Sequence, residues 1–305
     1  LLAHCYVRGI GVEQDLVQGF QWVRMAALQG DAAGQTILGK HYEFGIGTQQ
    51  DPDLAVAWYR RAAQEGDPEG KCCLGWLLEH GKWVEKNPEE AVKLYQQACD
   101  QGSARGLLLL ADCLLRGIGT PADPDRAVFY YKRGAQDGDG DAMCCLGLCY
   151  ELGTGVEQSW EKAVHWYRQA AEQGNARAMG NLAWCYDNGK GVERDVEEST
   201  RWYQRGAQAG DTRSMYSYAY CCEYGDGMDP DLEQAAHWYR QAADRGEEGA
   251  MFRLGLLYER GEGVEQSWEQ AAAWYQKAAE HGSPAGMGCL AWCYEHGAGT
   301  EKNLK

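Results

Sequence analysis

Apolar positions along the chain recur at helical spacing in two alternating kinds of segment. The first kind, helix A, carries Leu38, Leu74, Leu110, Leu146, Leu182, Leu254 and Leu290, each seven residues before a glycine. Four residues after each leucine come Tyr42, Leu78, Leu114, Tyr150, Tyr186, Tyr258 and Tyr294. The second kind, helix B, carries small residues such as Ala55, Ala91, Ala163 and Ala271, followed four residues on by Tyr59, Tyr95, Tyr167 and Tyr275 and then by alanine pairs. Spacings of i, i+4, i+7 and i+8 put one apolar stripe on each helix.

Glycine punctuates the segments. Gly9, Gly45, Gly81, Gly117, Gly153, Gly189, Gly225, Gly261 and Gly297 recur every 36 residues without insertion or deletion. A second series runs from Gly30 to Gly282 with the same period. Both fall where a helix ends and a residue tolerant of positive φ is needed. Asp31, Asp67, Ser103, Asp139, Asn175, Asp211 and Ser283 follow the second series as N-caps, with Glu247 as the weaker exception. Asp15, Asp51, Asn87, Asp123, Ser159, Asp195, Asp231, Ser267 and Asn303 cap helix B. Pro52, Pro88 and Pro124 then occupy its first position, where a missing N–H costs least. The pattern predicts helix A, a seven-residue loop, helix B and a tight turn, repeated. One helix pair cannot cover its own stripe, so the pairs must stack into an all-α solenoid. The expected organisation is a single array over 1–305: a partial repeat 1–30, repeats 31–66, 67–102, 103–138, 139–174, 175–210, 211–246 and 247–282, and a partial repeat 283–305.

The frame L-G-x-x-Y-x-x-G-x-G-V, followed by D-x-x-x-A-x-x-W-Y-x-x-A-A-x-x-G, resembles the Sel-one-like repeat (SLR), a relative of the tetratricopeptide repeat. Leu146, Gly147, Tyr150, Gly153, Gly155, Val156, Ala163, Trp166, Tyr167, Ala170, Ala171 and Gly174 show it in full, and the likeness covers the whole chain. The resemblance implies a right-handed superhelix with helix A on the concave side. It also implies adaptor roles in assembly, secretion, quality control or signalling, and it carries over no catalytic residue. One branch of that family is cross-linked by cysteines eight apart between helix B and the next helix A. Here Cys99 has Leu107 at that spacing and the other repeats begin it with alanine, so that framework is not expected.

On a helix turning about 100° per residue, the position five before the anchor glycine faces away from the leucine stripe. It reads Trp76, Asp112, Leu148, Trp184, Tyr220, Leu256 and Trp292. Beside it lie Cys72, Leu108, Tyr216 and Phe252, nine before the glycine, and Phe44, His80, Leu152, Tyr224 and His296, one before it. Exposed aromatics anchor binding energy. The expected partner site is therefore a groove with Trp76, Trp184, Tyr220, Trp292, Leu148, Leu256, Phe44 and Tyr224. Repeat three has Gly81-Lys82-Trp83 where the others have G-x-G. Because tryptophan resists positive φ, its loop is expected to differ, with the indole either folded over a neighbouring repeat or left exposed to a partner.

Composition narrows the function. A net charge of −16 repels phosphate backbones and anionic membranes, so nucleic acid and membrane insertion are poor expectations. Thirteen cysteines, none in C-x-x-C, point to a reducing, cytoplasmic setting; a chain that opens at Leu1 leaves a secreted or periplasmic parent open. Cys5, Cys113, Cys149, Cys185, Cys221 and Cys293 share the position four before the anchor glycine, at the core's edge, and read as small buried side chains rather than metal ligands. Arg60, Arg61, Lys132, Arg133, Arg168, Arg205 and Arg240 read as partners of helix-B dipoles. No nucleophile–base spacing, phosphate loop or H-E-x-x-H is present, so no enzyme, cofactor or metal is expected. The reading is a protein-interaction scaffold for a peptide or partner domain. The alternatives are a regulatory or localisation module of a larger protein, and a small-ligand or carbohydrate binder that uses the same tryptophans.

Overall fold

The computed structural model describes residues 2–301. Among them it places seventeen α-helices and no strand. The chain divides into two compact units, residues 1–142 with 154–157, and residues 143–153 with 158–305. The first unit holds α1 (Leu2–Arg8), α2 (Leu16–Leu28), α3 (Ala32–Phe44), α4 (Pro52–Gln64), α5 (Pro68–His80), α6 (Pro88–Asp100), α7 (Ala104–Arg116) and α8 (Pro124–Gln136). α9 (Gly140–Leu152) starts in it. The second unit holds the rest of α9 and α10 (Trp160–Glu172), α11 (Ala176–Asn188), α12 (Val196–Gln208), α13 (Thr212–Tyr224), α14 (Leu232–Ala243), α15 (Glu248–Arg260), α16 (Trp268–Glu280) and α17 (Pro284–His296). Odd-numbered helices are the A segments and even-numbered ones the B segments.

Most helices are thirteen residues long, a length that is marginal for an isolated helix in water. Caps and packing hold them. Side chains of Asp15, Asp51, Asp67, Asn87, Ser103 and Asp123 accept the amide three residues on in the first unit. Ser159, Asn175, Asp195, Asp211, Asp231, Ser267 and Ser283 do so in the second. Asp139 also fits the expectation, accepting from the Ala142 amide at 2.8 Å. Asp31 holds the cap position without that hydrogen bond, as does Glu247. The cap expected at Asn303 lies outside the described residues.

The seven-residue loop is stereotyped. Its first glycine adopts a left-handed conformation, φ 68° at Gly45 and 62° at Gly189. The helix-B cap amide then bonds back to the aromatic or aliphatic position of helix A: Asp51 N to Tyr42 O at 3.0 Å, Asn87 N to Leu78 O at 2.8 Å and Ser267 N to Tyr258 O at 2.9 Å. The second glycine is where successive repeats approach most closely. A Cβ on Gly119 would lie 2.1 Å from the Pro88 carbonyl oxygen, and one on Gly263 would lie 2.0 Å from that of Leu232.

Trp83 occupies that second-glycine position, and its loop does not differ. Trp83 takes φ 61°, and the loop keeps its usual bonds, Lys82 N to Leu77 O at 3.1 Å and Asn87 N to Leu78 O at 2.8 Å. Of the two positions expected for the indole, it takes the folded-over one. It packs, half-buried, against a cluster containing Val56, Tyr59, Leu74, Leu77 and Leu94, with the Lys82 ammonium 4.1 Å above the ring. A left-handed non-glycine residue costs roughly 1–3 kcal/mol, and apolar burial of an aromatic ring offsets it.

The predicted stripes form the core. Leu38, Leu110, Leu146, Leu182 and Leu254 are fully buried, as are Tyr59, Tyr95, Tyr167, Tyr239 and Tyr275. Burial of each such leucine contributes about 1.5–3 kcal/mol. The L-G step now has a reason. A Cβ on Gly39, Gly75, Gly147 or Gly255 would press to within 2.5–2.6 Å of the ring of Tyr59, Tyr95, Tyr167 or Tyr275. The missing side chain is the slot for the helix-B tyrosine.

Candidate functional site

Each of those tyrosines finds an acidic partner on the facing A helix, sixteen residues earlier. Tyr59 donates to Glu43 at 2.6 Å and Tyr95 to Glu79 at 2.9 Å in the first unit. Tyr167 donates to Glu151 at 2.5 Å, Tyr239 to Glu223 at 2.7 Å and Tyr275 to Glu259 at 2.5 Å in the second. Burial first, and then the adjacent carboxylate, push these phenols far above their ordinary value. The pair welds helix A to helix B within one repeat, so it is structural. The sequence signal was available, a Glu two before the anchor glycine and a Tyr sixteen later, but the bond spans a loop and periodicity on one helix does not expose it.

The cysteines four before the anchor glycine are buried as expected at Cys113, Cys149, Cys185, Cys221 and Cys293, and Cys5 is half-buried. Burial raises the Cys113 and Cys185 thiols to about 12 and Cys149 to about 11, which leaves them unreactive at neutral pH. Cys72 was placed on the outward face but is fully buried; its sulfur lies 3.9 Å from the Ser103 hydroxyl at the start of α7. Among the described residues no group of three or more His, Cys, Asp or Glu could hold a metal ion.

The outward face of the A helices in the first unit carries Phe44, 66% exposed, and Trp76, half-buried. Both line a cleft of about 420 Å³. The Trp76 ring is stacked by His80 at 4.4 Å and approached by the Lys82 ammonium at 5.3 Å. Lys40, Lys82 and Arg105 complete the rim, and Glu43, Cys73 and Leu77 the remaining wall. Lys40 pairs with Glu69 at 2.8 Å, Arg105 pairs with the same carboxylate, and Lys82 reaches Glu43 at 3.3 Å. Burial alone would raise the Glu69 carboxyl; Lys40 and Arg105 outweigh it and hold the group below its ordinary range.

In the second unit the same face is rich in rings but less hollow. Trp184 is 38% exposed, lies 5.7 Å from the Trp160 ring, and borders a small cleft with Arg177, Asn181 and Arg213. Tyr220 (36% exposed) and Tyr224 (49%) lie 4.5 Å apart, with the Arg253 guanidinium 5.4 Å from each ring. Trp292, 45% exposed, is sandwiched between Trp268 at 5.3 Å and His296 at 4.4 Å. Leu148 and Leu256 are only half-exposed, and Leu256 packs on the core around Tyr275. Thus Phe44 joins Trp76, and Tyr220 joins Tyr224, while Leu256 is partly spent on packing.

The cations on this face were not singled out from the sequence. A signal existed. Arg105, Arg177 and Arg213 all fall twelve before an anchor glycine, and Lys82 and Lys190 follow that glycine in two of the repeats that carry an outward tryptophan. Some B-helix cations do more than complement a dipole. Arg61, Arg205 and Lys277 sit over the rings of Trp58, Trp202 and Trp274 at 5.6, 4.1 and 3.8 Å.

Comparison with known proteins agrees with this architecture. The Sel1 repeat model matches at residues 1–31, 32–67, 72–103, 104–139, 140–175, 176–211, 212–247, 249–283 and 286–305. A Sel1 repeat protein from Oxalobacter formigenes is 32% identical with a TM-score of 0.73, over 95% of this chain and 85% of that one. The protein c5321, a protective antigen of uropathogenic Escherichia coli with an SLR fold, is 27% identical with a TM-score of 0.57, over 99% of this chain and 80% of that one. An immunity protein, Pa5087 of Pseudomonas aeruginosa, shares the fold at 20% identity and a TM-score of 0.52, over 70% of this chain and 82% of that one. No curated protein matches the chain. Among the described residues no helix is long and apolar enough to cross a membrane. Sel1 repeat proteins generally mediate protein–protein interactions and are generally not enzymes. With nine repeats matched from end to end, the chain belongs to the Sel1 repeat family.

Proposed function

We propose that this chain is an interaction scaffold that takes a peptide or partner segment on the outward face of its A helices. One observation carries the reading: at a single helical position, five before the anchor glycine, three repeats keep a large aromatic side chain in solvent although the neighbouring stripes are sealed. Trp184, Tyr220 and Trp292 are exposed, with Phe44 and Tyr224 beside that position, and Trp76 lines a cleft. Ring–ring contacts pre-order Tyr220, Tyr224 and Trp292, so little rotamer freedom remains to be lost on binding. Trp76, Trp184, Tyr220 and Trp292 are the expected anchors; Phe44 and Tyr224 extend them, and Leu148 and Leu256 contribute less because packing covers part of them.

The test is capture of partners by the wild-type chain and by Trp184→Ala and Trp292→Ala variants, quantified by mass spectrometry. Loss of an anchor should weaken a genuine partner by tenfold or more, since such anchors carry about 2 kcal/mol or more each. Partners that bind the doubly substituted chain as well as the wild type would contradict the reading. Parallel titration with glycans, followed by tryptophan fluorescence, separates a carbohydrate binder that uses the same rings.

A further inference from the structure

Within the first unit, the cleft at Trp76 differs in charge from the chain that carries it. The chain has a net charge of −16, yet Lys40, Lys82 and Arg105 converge on this one opening. Two carboxylates answer them. Glu69 serves both Lys40 and Arg105, and Glu43 serves Lys82 while also accepting from Tyr59. Three cations against two carboxylates leave a surplus of one positive charge. Arg105 bonds Glu69 and Cys73 through a single nitrogen, Nη1. A guanidinium offers five N–H donors, so Arg105 retains the capacity for a planar carboxylate. Phe44, Trp76 and Leu77 supply apolar lining to the same cleft. At about 420 Å³ the space is within the range of ligand-binding clefts and far exceeds a packing defect.

We infer that this cleft binds an acidic peptide segment, in which an aromatic or leucine side chain enters against Trp76 and a flanking Asp or Glu is held by Arg105 and Lys82. This assignment rests on the scaffold reading above and names the partner chemistry at one of its anchors. Charge complementarity selects the occupant. A basic segment would meet the surplus cation, whereas a carboxylate relieves it. An apolar segment without charge would leave the Lys82 and Arg105 donors without a new acceptor. The Lys82 ammonium already lies over both the Trp76 and Trp83 rings, so cation and aromatic wall are held together before any partner arrives. Repeat three alone has Trp83 in place of the second loop glycine, which makes this cation–ring arrangement local to the Trp76 cleft.

The experiment uses the full chain and three fluorescein-labelled peptides read by polarisation: Glu-Glu-Leu-Phe-Glu-Glu, its lysine counterpart, and the acidic peptide with Leu-Phe replaced by Ala-Ala. The acidic Leu-Phe peptide should bind at least tenfold more tightly than either control, and its affinity should fall about tenfold between low and high salt. Lys82→Ala and Trp76→Leu should each weaken it by about tenfold while circular dichroism stays unchanged. His165→Ala, on the exposed side of α10, should leave it unaltered. If Trp76→Leu disturbs folding, Lys82→Ala combined with Lys40→Ala carries the same test from the rim. Equal binding of the lysine peptide, or insensitivity to both the Trp76 and the Lys82 substitutions, would overturn the assignment. No binding by any peptide would also overturn it, and would leave the scaffold reading to the partner-capture test at Trp184 and Trp292.

Discussion

The seam between A and B helices and the outward face of the A helices use the same residue types to opposite ends. In the seam, five repeats tie a buried tyrosine to a glutamate within 2.5–2.9 Å, and in four of them the ring sits in a slot left by a glycine. On the face, Trp76, Asp112, Leu148, Trp184, Tyr220, Leu256 and Trp292 occupy one geometric position with four residue types among seven repeats. Internal repetition therefore separates the two jobs within a single chain. What every repeat must do to stack is repeated; what varies while remaining exposed is free for recognition.

Breaking the seam should cost far more than altering the face. The largest effect is expected at a close approach. Gly119→Ala forces a β-carbon to within 2.1 Å of the Pro88 carbonyl oxygen and keeps φ at 65°. It should lose more than about 3 kcal/mol in urea unfolding. Gly138→Ala, also at positive φ but facing open space, should lose only about 1 kcal/mol. Similar losses at the two glycines would remove the close-approach argument.

Tyr95→Phe comes next. It strips the donor from Glu79, which is itself buried, and should cost about 1–3 kcal/mol by the same measurement. Tyr275→Phe should cost less, because Glu259 is only half-buried. The seam also predicts an alkaline limit. Burial, followed by the paired carboxylates, raises the folded-state values of Tyr59, Tyr167 and Tyr275 above the ordinary 10.0. For an acid raised in the folded state, the stability contribution is intact below pH 10 and is lost as the pH climbs above it. Unfolding free energy should therefore fall above pH 10, and absorbance titration should show these phenols ionising only as the chain unfolds.

Trp83 sits between the two regions and yields a smaller, ordered effect. Trp83→Ala keeps the left-handed backbone and loses the ring's packing, while Trp83→Gly loses the packing but relieves the strain. The alanine variant should be the less stable by about 1–2 kcal/mol, the cost of a left-handed β-carbon. On the face, Trp184→Ala should change stability by about 1 kcal/mol or less, which chemical denaturation can resolve.

Much of the seam was legible because it is periodic. Glycine series, caps, leucine stripe and buried cysteines are each visible as one column at 36-residue spacing. Features that escaped join two columns. The Tyr–Glu bond links positions sixteen apart across a loop, and the role of Gly147 appears only when Tyr167 is seen above it. The loop at Trp83 misled because sterics favour glycine at positive φ, yet the flanking backbone bonds fix the loop and the ring repays part of the strain by packing. Cys72 misled because a single-helix wheel omits the next helix, which covers it. The cations at Trp76 went unread for the same reason. Lys40, Lys82 and Arg105 come from three different repeats.

The most direct test places a photo-crosslinking side chain at Trp184 or Tyr220 on the face, and at His165 on the exposed side of α10 as the control, and maps cross-linked partners by mass spectrometry. Adducts at Trp184 and Tyr220 with none at His165 are predicted. Adducts at His165 alone would contradict the assignment of the A-helix face as the interaction surface.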